Sequence, residues 1–311
     1  MRPRTATAFA PAAITNFFSI RYDRTGRQLI GATGGGYVLS RGVTAKASLY
    51  EGEGTLLSTS VNGDKGYDAR TTRRAMTLLM EGRRSDFGRL SLDQEVDVPI
   101  GAGFGASAAS AISAVLAASS VLGIRESERA LAMFAHRGEI LEQTGLGTVS
   151  VTYFATGAGA ITTAGKPGVA EFFNVRVPKG TRIVTAYLAP YDKRNAISSK
   201  SVSGRINRLG DEALREFLAD PTFEVLAEQG ETFSRLLGLE TPEVRKLETV
   251  AKTAGATHSS QNMIGYAVHA VADEDTYRNV AIALEEMGKL ARVDVFEVGS
   301  RPAGLEKPIR R

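Results

Sequence analysis

Polar and apolar positions trade places along the chain with two different periods. Residues 88–98 alternate as Leu90, Leu92, Val96 and Val98, and residues 5–10, 37–39, 44–50, 160–163 and 171–175 also read as strands. Residues 70–80 instead place Ala75, Met76, Leu78 and Leu79 at helical spacing; residues 126–144 form an amphipathic helix, and 148–155 a helix or turn. A second unit starts near Thr181. Its pattern predicts a strand at 182–188, helices at 199–218, 223–237 and 242–253, a strand at 262–272, a helix at 275–288 and a closing strand at 292–298. That order predicts an α/β sandwich with helices on one side of a sheet. Gly165-Lys166-Pro167-Gly168 marks the expected hinge, so the chain reads as α+β in two units, residues 1–167 and 168–311.

Residues 107–124 contain no charge, a length at which a membrane-spanning helix has to be considered. Five of them are serine (Ser107, Ser110, Ser113, Ser119 and Ser120), much of the rest is alanine, and no second comparable span exists. The pattern predicts a helix buried in a soluble core.

The stretch leading into that helix reads Pro99-Ile100-Gly101-Ala102-Gly103-Phe104-Gly105-Ala106-Ser107-Ala108-Ala109-Ser110. Three glycines without Cβ atoms let an anion approach the backbone N–H groups, and the first turn of the helix adds free donors and the positive end of its dipole. A phosphate-bearing ligand is the leading expectation. A mononucleotide P-loop needs Gly-Lys-Ser/Thr at its end, whereas Gly105 is followed by Ala106 and Ser107. A dinucleotide fingerprint fits the spacing, but it should follow the first strand of a βαβ unit and precede an acidic strand end by about 20 residues. Around Ile124 the sequence reads instead as the start of another helix.

Composition narrows the classes further. The chain has 311 residues, a formal net charge of +4 and basic residues scattered along its length, without the basic face or interleaved aromatics of a nucleic-acid binder. It has no cysteine, which excludes disulfides, thiolate catalysis and Cys-based zinc sites. His136, His258 and His269 are far apart in sequence, without metal-ligand spacing, and His136 reads as a satisfied structural histidine beside Phe134 and Ala135. The N-terminus is charged without a following apolar run, so no signal peptide is expected and the cytoplasm is the default location.

Residues 99–109 resemble the Pro-x-x-x-Gly-Leu-Gly-Ser-Ser-Ala-Ala motif of the GHMP kinase superfamily, with Pro99, Gly103, Gly105, Ser107, Ala108 and Ala109 matching and Phe104 and Ala106 departing. Three further stretches resemble its archaeal pantoate kinase branch: Ala10-Pro11-Ala12-Ala13-Ile14-Thr15-Asn16-Phe17-Phe18, Ala135-His136 with Glu139 leading to Thr144-Gly145-Leu146-Gly147, and Ser260-Gln261-Asn262-Met263-Ile264-Gly265. Together with the glycine-rich run from Gly31 to Gly36, these landmarks span nearly the whole chain in family order.

The resemblance implies a ribosomal-protein S5 domain 2-like N-terminal domain, a ferredoxin-like C-terminal domain and an active site between them. It also implies ATP and Mg2+ as cofactors and a small hydroxy acid, pantoate, as acceptor, with a homodimer possible as in relatives. Residues Pro99, Gly101, Ala102, Gly103, Phe104, Gly105, Ala106, Ser107 and Ala108 are then expected to hold ATP. Ser107 and Glu139 are expected to bind the metal, although Ser107 also suits a helix cap and Glu139 an exposed helical position. Thr148 stands where the family branch usually has an aspartate base, and a threonine hydroxyl is no useful proton acceptor near neutrality. Ala13 stands where the branch generally has histidine. Thr15, Asn16, Arg194, Lys200, Ser260 and Gly265 are the expected acceptor contacts, with Arg205 a further basic candidate. Thr148 and Ala13 leave open a GHMP kinase for another small hydroxy acid or alcohol, and a nucleotide-binding protein that has lost transfer.

Overall fold

The computed structural model describes residues 3–22, 29–52, 54–83, 88–145, 147–189, 200–263, 265–288, 292–299 and 301–306. Two sheets organise them. The first is built on a long antiparallel ribbon of β1 (Arg4–Tyr22) and β2 (Leu29–Tyr50). The later half of β2 pairs with β4 (Gly88–Val96), which carries β3 (Thr55–Val61) in parallel. The earlier half, at Gly34–Tyr37, pairs with β5 (Ala158–Thr163), which carries β6 (Glu171–Val175).

The sequence pattern shows only fragments of this ribbon, because its length depends on glycine. A Cβ on Gly34, Gly36 or Gly42 would lie 2.2, 2.0 or 2.1 Å from the carbonyl oxygens of Phe17, Ile14 and Ala10. Each glycine therefore allows a backbone approach that any side chain would block. β3 escapes the pattern altogether, since Leu56 and Leu57 are adjacent rather than alternating.

Helix α2 (Ala106–Leu122) lies on the ribbon, flanked by α1 (Arg70–Met80) and α3 (Glu128–Glu142). It is buried nearly all round, and the Ser113 and Ser119 hydroxyls donate to the helix's own Ala109 and Val115 carbonyls at 2.8 and 2.6 Å. Small side chains that satisfy their own polar groups let the helix sit in the core. Among the described residues, no helix is long and apolar enough to cross a membrane. Residues 148–155 resolve into a short helix, α4 (Thr148–Phe154).

The second sheet has the order β10-β7-β9-β8, all antiparallel, from β7 (Arg182–Ala189), β8 (His258–Gln261), β9 (Tyr266–Ala272) and β10 (Arg292–Glu297). Helices α5 (Lys200–Ala219), α6 (Phe223–Leu237), α7 (Pro242–Thr253) and α8 (Tyr277–Glu285) complete the unit. Val184, Ala186, Val268 and Ala270 pack with residues of α7 and α8 on one face, as the order of elements predicts. Ile183, Ala267, Val271 and Phe296 on the other face join the core of the first sheet, and α5 and α6 pack on β1.

Two boundaries differ from expectation. The strand expected at 262–272 is a hairpin: Asn262 N donates to Ala267 O at 2.8 Å and Gly265 N to Asn262 O at 3.0 Å, with β8 before the turn. Ser259, Ser260 and Gln261 are buried strand residues, and their polarity disguises the strand. The first sheet also continues past residues 165–168, because β6 pairs with β5, so the chain changes sheet between Val175 and Arg182. A last short strand, β11 (Gly304–Leu305), returns to pair with β1.

Candidate active site

The loop before α2 alternates its residues between core and cleft. Ala102 and Phe104 are buried, the Phe104 ring 5.9 Å from that of Phe296, while Gly101, Gly103 and Gly105 face a cleft of about 570 Å³ with φ of 76°, 84° and 64°. Left-handed backbone at three alternate positions is open to glycine and strained for other residues. Gly105 is the N-cap of α2 and offers no side chain to its first-turn donors. Gly105, Ala106 and Ser107 line the cleft, so the free first-turn donors and the positive end of the helix dipole suit this end of α2 to an anion.

Two cross-links hold the loop. Ala13 N of β1 donates to Phe104 O at 3.0 Å, and the Asn262 amide donates to Ala102 O at 3.3 Å. The first fixes the loop to the ribbon and the second to the β8–β9 hairpin.

Ser107 opens the first turn of α2, and its hydroxyl donates to Glu139 Oε1 on α3 at 3.2 Å. Glu139 is only 1 % exposed yet lines the cleft. Its carboxylate lies over Gly145, where a Cβ would be 2.1 Å from Oε1, so the Thr-Gly-Leu-Gly stretch supplies the space that the acid occupies. Gly147 is the N-cap of α4 at φ 119° and places Thr148 at the cleft wall, with Thr148 Cγ2 3.0 Å from the position of a Cβ on Gly105.

A smaller cavity of about 60 Å³ adjoins the cleft and shares Ala13, Thr15, Thr148 and Met263 with it. Ile14, Phe18, Val151 and Ile161 are among the apolar residues of its remaining wall, and Thr33 and Tyr37 are among the polar ones. Thr15 reaches both cavities because Asn16 is the extra residue of a β-bulge between Thr15 and Phe17.

The structure thus brings Ser107, Glu139, Thr148, Thr15 and Gly265 together with the glycine loop. Other expected site residues lie elsewhere. Pro99, Ala102 and Ala108 are buried and do not line the cleft. Asn16 is buried against α6, where its amide donates to Leu226 O at 3.1 Å. Ser260 is 3 % exposed, and its hydroxyl meets His269 Nε2 at 3.1 Å instead of a cavity. Arg194 lies outside the described residues, Lys200 opens α5, and Arg205 is exposed on that helix. His136 is buried, as expected, but Nδ1 has no hydrogen-bond partner among the described residues, and burial lowers its pKa.

The far end of the cleft contains residues that sequence reasoning missed: Val61, Tyr67, Asp68, Arg70, Thr72, Gln94 and Val96. Gln94 bridges two elements there, accepting from Thr72 at 3.1 Å and donating to Ser110 O at 2.8 Å. Their only signal was position, at the start of a helix and in the strand feeding the loop.

Comparison with known proteins agrees with this geometry. Residues 70–157, from α1 through the glycine loop to just past α4, match the family described as GHMP kinases N terminal domain. Over that stretch the chain is similar to the GHMP kinases. Pantoate kinase of Thermococcus kodakarensis is 29 % identical over 290 residues, covering 90 % of this chain and 92 % of that protein. Pantoate kinase of Methanospirillum hungatei is 25 % identical over 300 residues, covering 96 % and 94 %. A solved structure described as a phosphotransferase related to the CoA biosynthesis pathway superposes with a TM-score of 0.87 at 24 % identity, covering 98 % of this chain and all of that one. The two-unit α+β architecture is that of the GHMP kinase fold.

A metal bound with ATP would find a fitting set of donors. A buried carboxylate and a hydroxyl beside a phosphate site are the oxygen ligands that Mg2+ prefers, with water and phosphate completing its shell. Arg70 is the only basic side chain among the described residues lining the cleft, so a polyphosphate next to Glu139 needs a further cation.

Proposed function

We propose that this protein transfers the γ-phosphoryl group of ATP to the 4-hydroxyl of (R)-pantoate, forming 4-phosphopantoate for coenzyme A synthesis. One juxtaposition carries the reading: the Ser107–Glu139 pair at the head of α2 stands where a nucleotide-sized cleft opens into a small acceptor-sized cavity. The N–H groups of the glycine loop and of the first turn of α2 hold the phosphates. Val61, Tyr67 and Val96 offer an apolar seat for the base. Ser107 and Glu139 would hold the magnesium ion, which neutralises charge on the β- and γ-phosphates.

The acceptor occupies the smaller cavity. Ile14, Val151, Ile161 and Met263 suit the dimethyl carbon of pantoate, and Thr15 and Thr148 stand at the junction, where its hydroxyl must meet the γ-phosphate. Arg194 and Lys200 are the proposed partners of its carboxylate, since the described lining of this cavity contains no basic side chain. Thr148 orients the hydroxyl rather than removing its proton. A loose transition state needs little deprotonation before transfer, so a missing carboxylate base is compatible with turnover.

Ala13 and the neutral, largely apolar cavity favour one second reading, a GHMP kinase for another small hydroxy acid or alcohol. Purified protein separates the readings by ADP release. Release that depends on pantoate supports the first, and release only with a different acceptor supports the second. ATP binding without turnover on any acceptor leaves a nucleotide-binding protein that has lost transfer.

A further inference from the structure

Asn262 forms the corner of the β8–β9 hairpin and is fully buried. Its side-chain nitrogen donates to Ala102 O in the glycine loop, at 3.3 Å, which fixes the amide's orientation. The reverse orientation would set two oxygens against each other. Asn262 Oδ1 is therefore the acceptor toward His269 Nδ1, 2.7 Å away on β9, so Nδ1 carries the ring proton. Nε2 is left as an acceptor, and the Ser260 hydroxyl donates to it at 3.1 Å.

The surroundings keep this arrangement in one state. His269 projects from the face of β9 that meets the first sheet, with its ring edge-on to Tyr37 at 5.8 Å. Burial drives its pKa down to about 3, so the imidazole stays neutral. The backbone at the corner is equally tight: a Cβ on Gly103 would lie 2.8 Å from Asn262 O, and the next residue, Met263, holds φ at 52° while lining both cavities.

We infer that Ser260, His269 and Asn262 form a directional hydrogen-bond relay that locks the C-terminal hairpin onto the phosphate loop, with His269 a positioning residue for nucleotide binding. The inference rests on the reading of the glycine loop as the ATP site. It assigns Ser260 a role behind the site instead of at the acceptor. Each residue of the relay orients the next, and the last holds the loop carbonyl whose neighbouring N–H groups face the phosphates.

Two measurements test it. The chain has three histidines, so 15N spectra of histidine-labelled wild-type protein without nucleotide resolve each ring. The expected result is that the His269 ring, assigned by its loss in H269F, is protonated at Nδ1 and does not titrate from about pH 5 to 8; a His269 ring protonated at Nε2, or one that titrates, overturns the relay. In steady-state kinetics, N262A and H269F should each raise the KM for ATP by about three- to tenfold, the span of one hydrogen bond, with kcat little changed. The double variant should be no worse than N262A alone. Additive effects, or an unchanged KM for ATP with only a lower melting temperature, would reduce His269 to a packing residue. Failure of the ATP reading looks different, because wild-type protein would then not bind an ATP analogue, whereas the ring tautomer is read without nucleotide.

Discussion

The Glu139 carboxylate occupies the space that a side chain on Gly145 would need, with Oε1 2.1 Å and Cδ 2.4 Å from the position of a Cβ there. The glycine six residues beyond the acid in sequence is thus part of the acid's own site. A methyl group at Gly145 must displace the carboxylate from Ser107, which it now meets at 3.2 Å. G145A is expected to lower kcat by tens-fold or more and to raise the Mg2+ concentration needed for half-maximal rate. A magnesium titration of the purified variant measures both, and wild-type values would show that Glu139 has no fixed role.

Removing the pair directly should cost at least as much. S107A and E139Q are each expected to reduce turnover by tens-fold or more, since positioned groups and metal at the transferring phosphate are commonly worth a few kcal/mol. Melting temperatures close to wild type would assign the loss to chemistry and not to folding. Full activity in both variants would mean that the reaction takes place elsewhere.

Thr148 stands at the junction of the two cavities, in contact distance of Gly105. If the site merely lacks a base, T148D should raise kcat and give a rate that climbs with pH as the new carboxylate ionises. A pH–rate profile of variant and wild type reads this. A slower variant with an unshifted profile would show that the local geometry has adapted to threonine.

Glu248 offers a stability test remote from the chemistry. Burial first, then the neighbouring Glu240 and Glu231, push its carboxyl up to about 8, and its Oε1 lacks a hydrogen-bond partner among the described residues. The folded state thus binds a proton that the unfolded chain, with a carboxyl pKa near 4.5, releases. The unfavourable contribution is absent below about pH 4.5 and grows as pH rises toward 8, where the folded form must also ionise. E248Q should therefore melt above wild type at pH 8, with the gap shrinking toward pH 5. Parallel melting curves across that range would contradict the assignment.

How much of this was legible in the sequence depended on where the information lay. Residues 70–80, 223–237 and 242–253 are helices with the bounds that their apolar spacing predicts, since their burial is one-sided. The glycine loop was readable because left-handed backbone and anion binding both leave a mark on residue choice. The β1–β2 ribbon was not, because Gly34, Gly36 and Gly42 are selected by cross-strand approach and look locally like loop residues. Asn16 and Ser260 misled for a related reason: a polar side chain beside a motif can face a helix carbonyl or a buried histidine as readily as a ligand. The far wall of the cleft, from Val61 to Val96, is assembled by the packing of β3, β4 and α1, which no local pattern encodes.

The most direct measurement is a crystal structure with a non-hydrolysable ATP analogue, magnesium and pantoate bound together. The expected result places the triphosphate against the N–H groups of Gly101, Gly103, Gly105, Ala106 and Ser107, the metal between Ser107 and Glu139, and the pantoate 4-hydroxyl beside Thr148 in line with the γ-phosphate. A nucleotide bound elsewhere, with the glycine loop empty beneath it, would contradict the account.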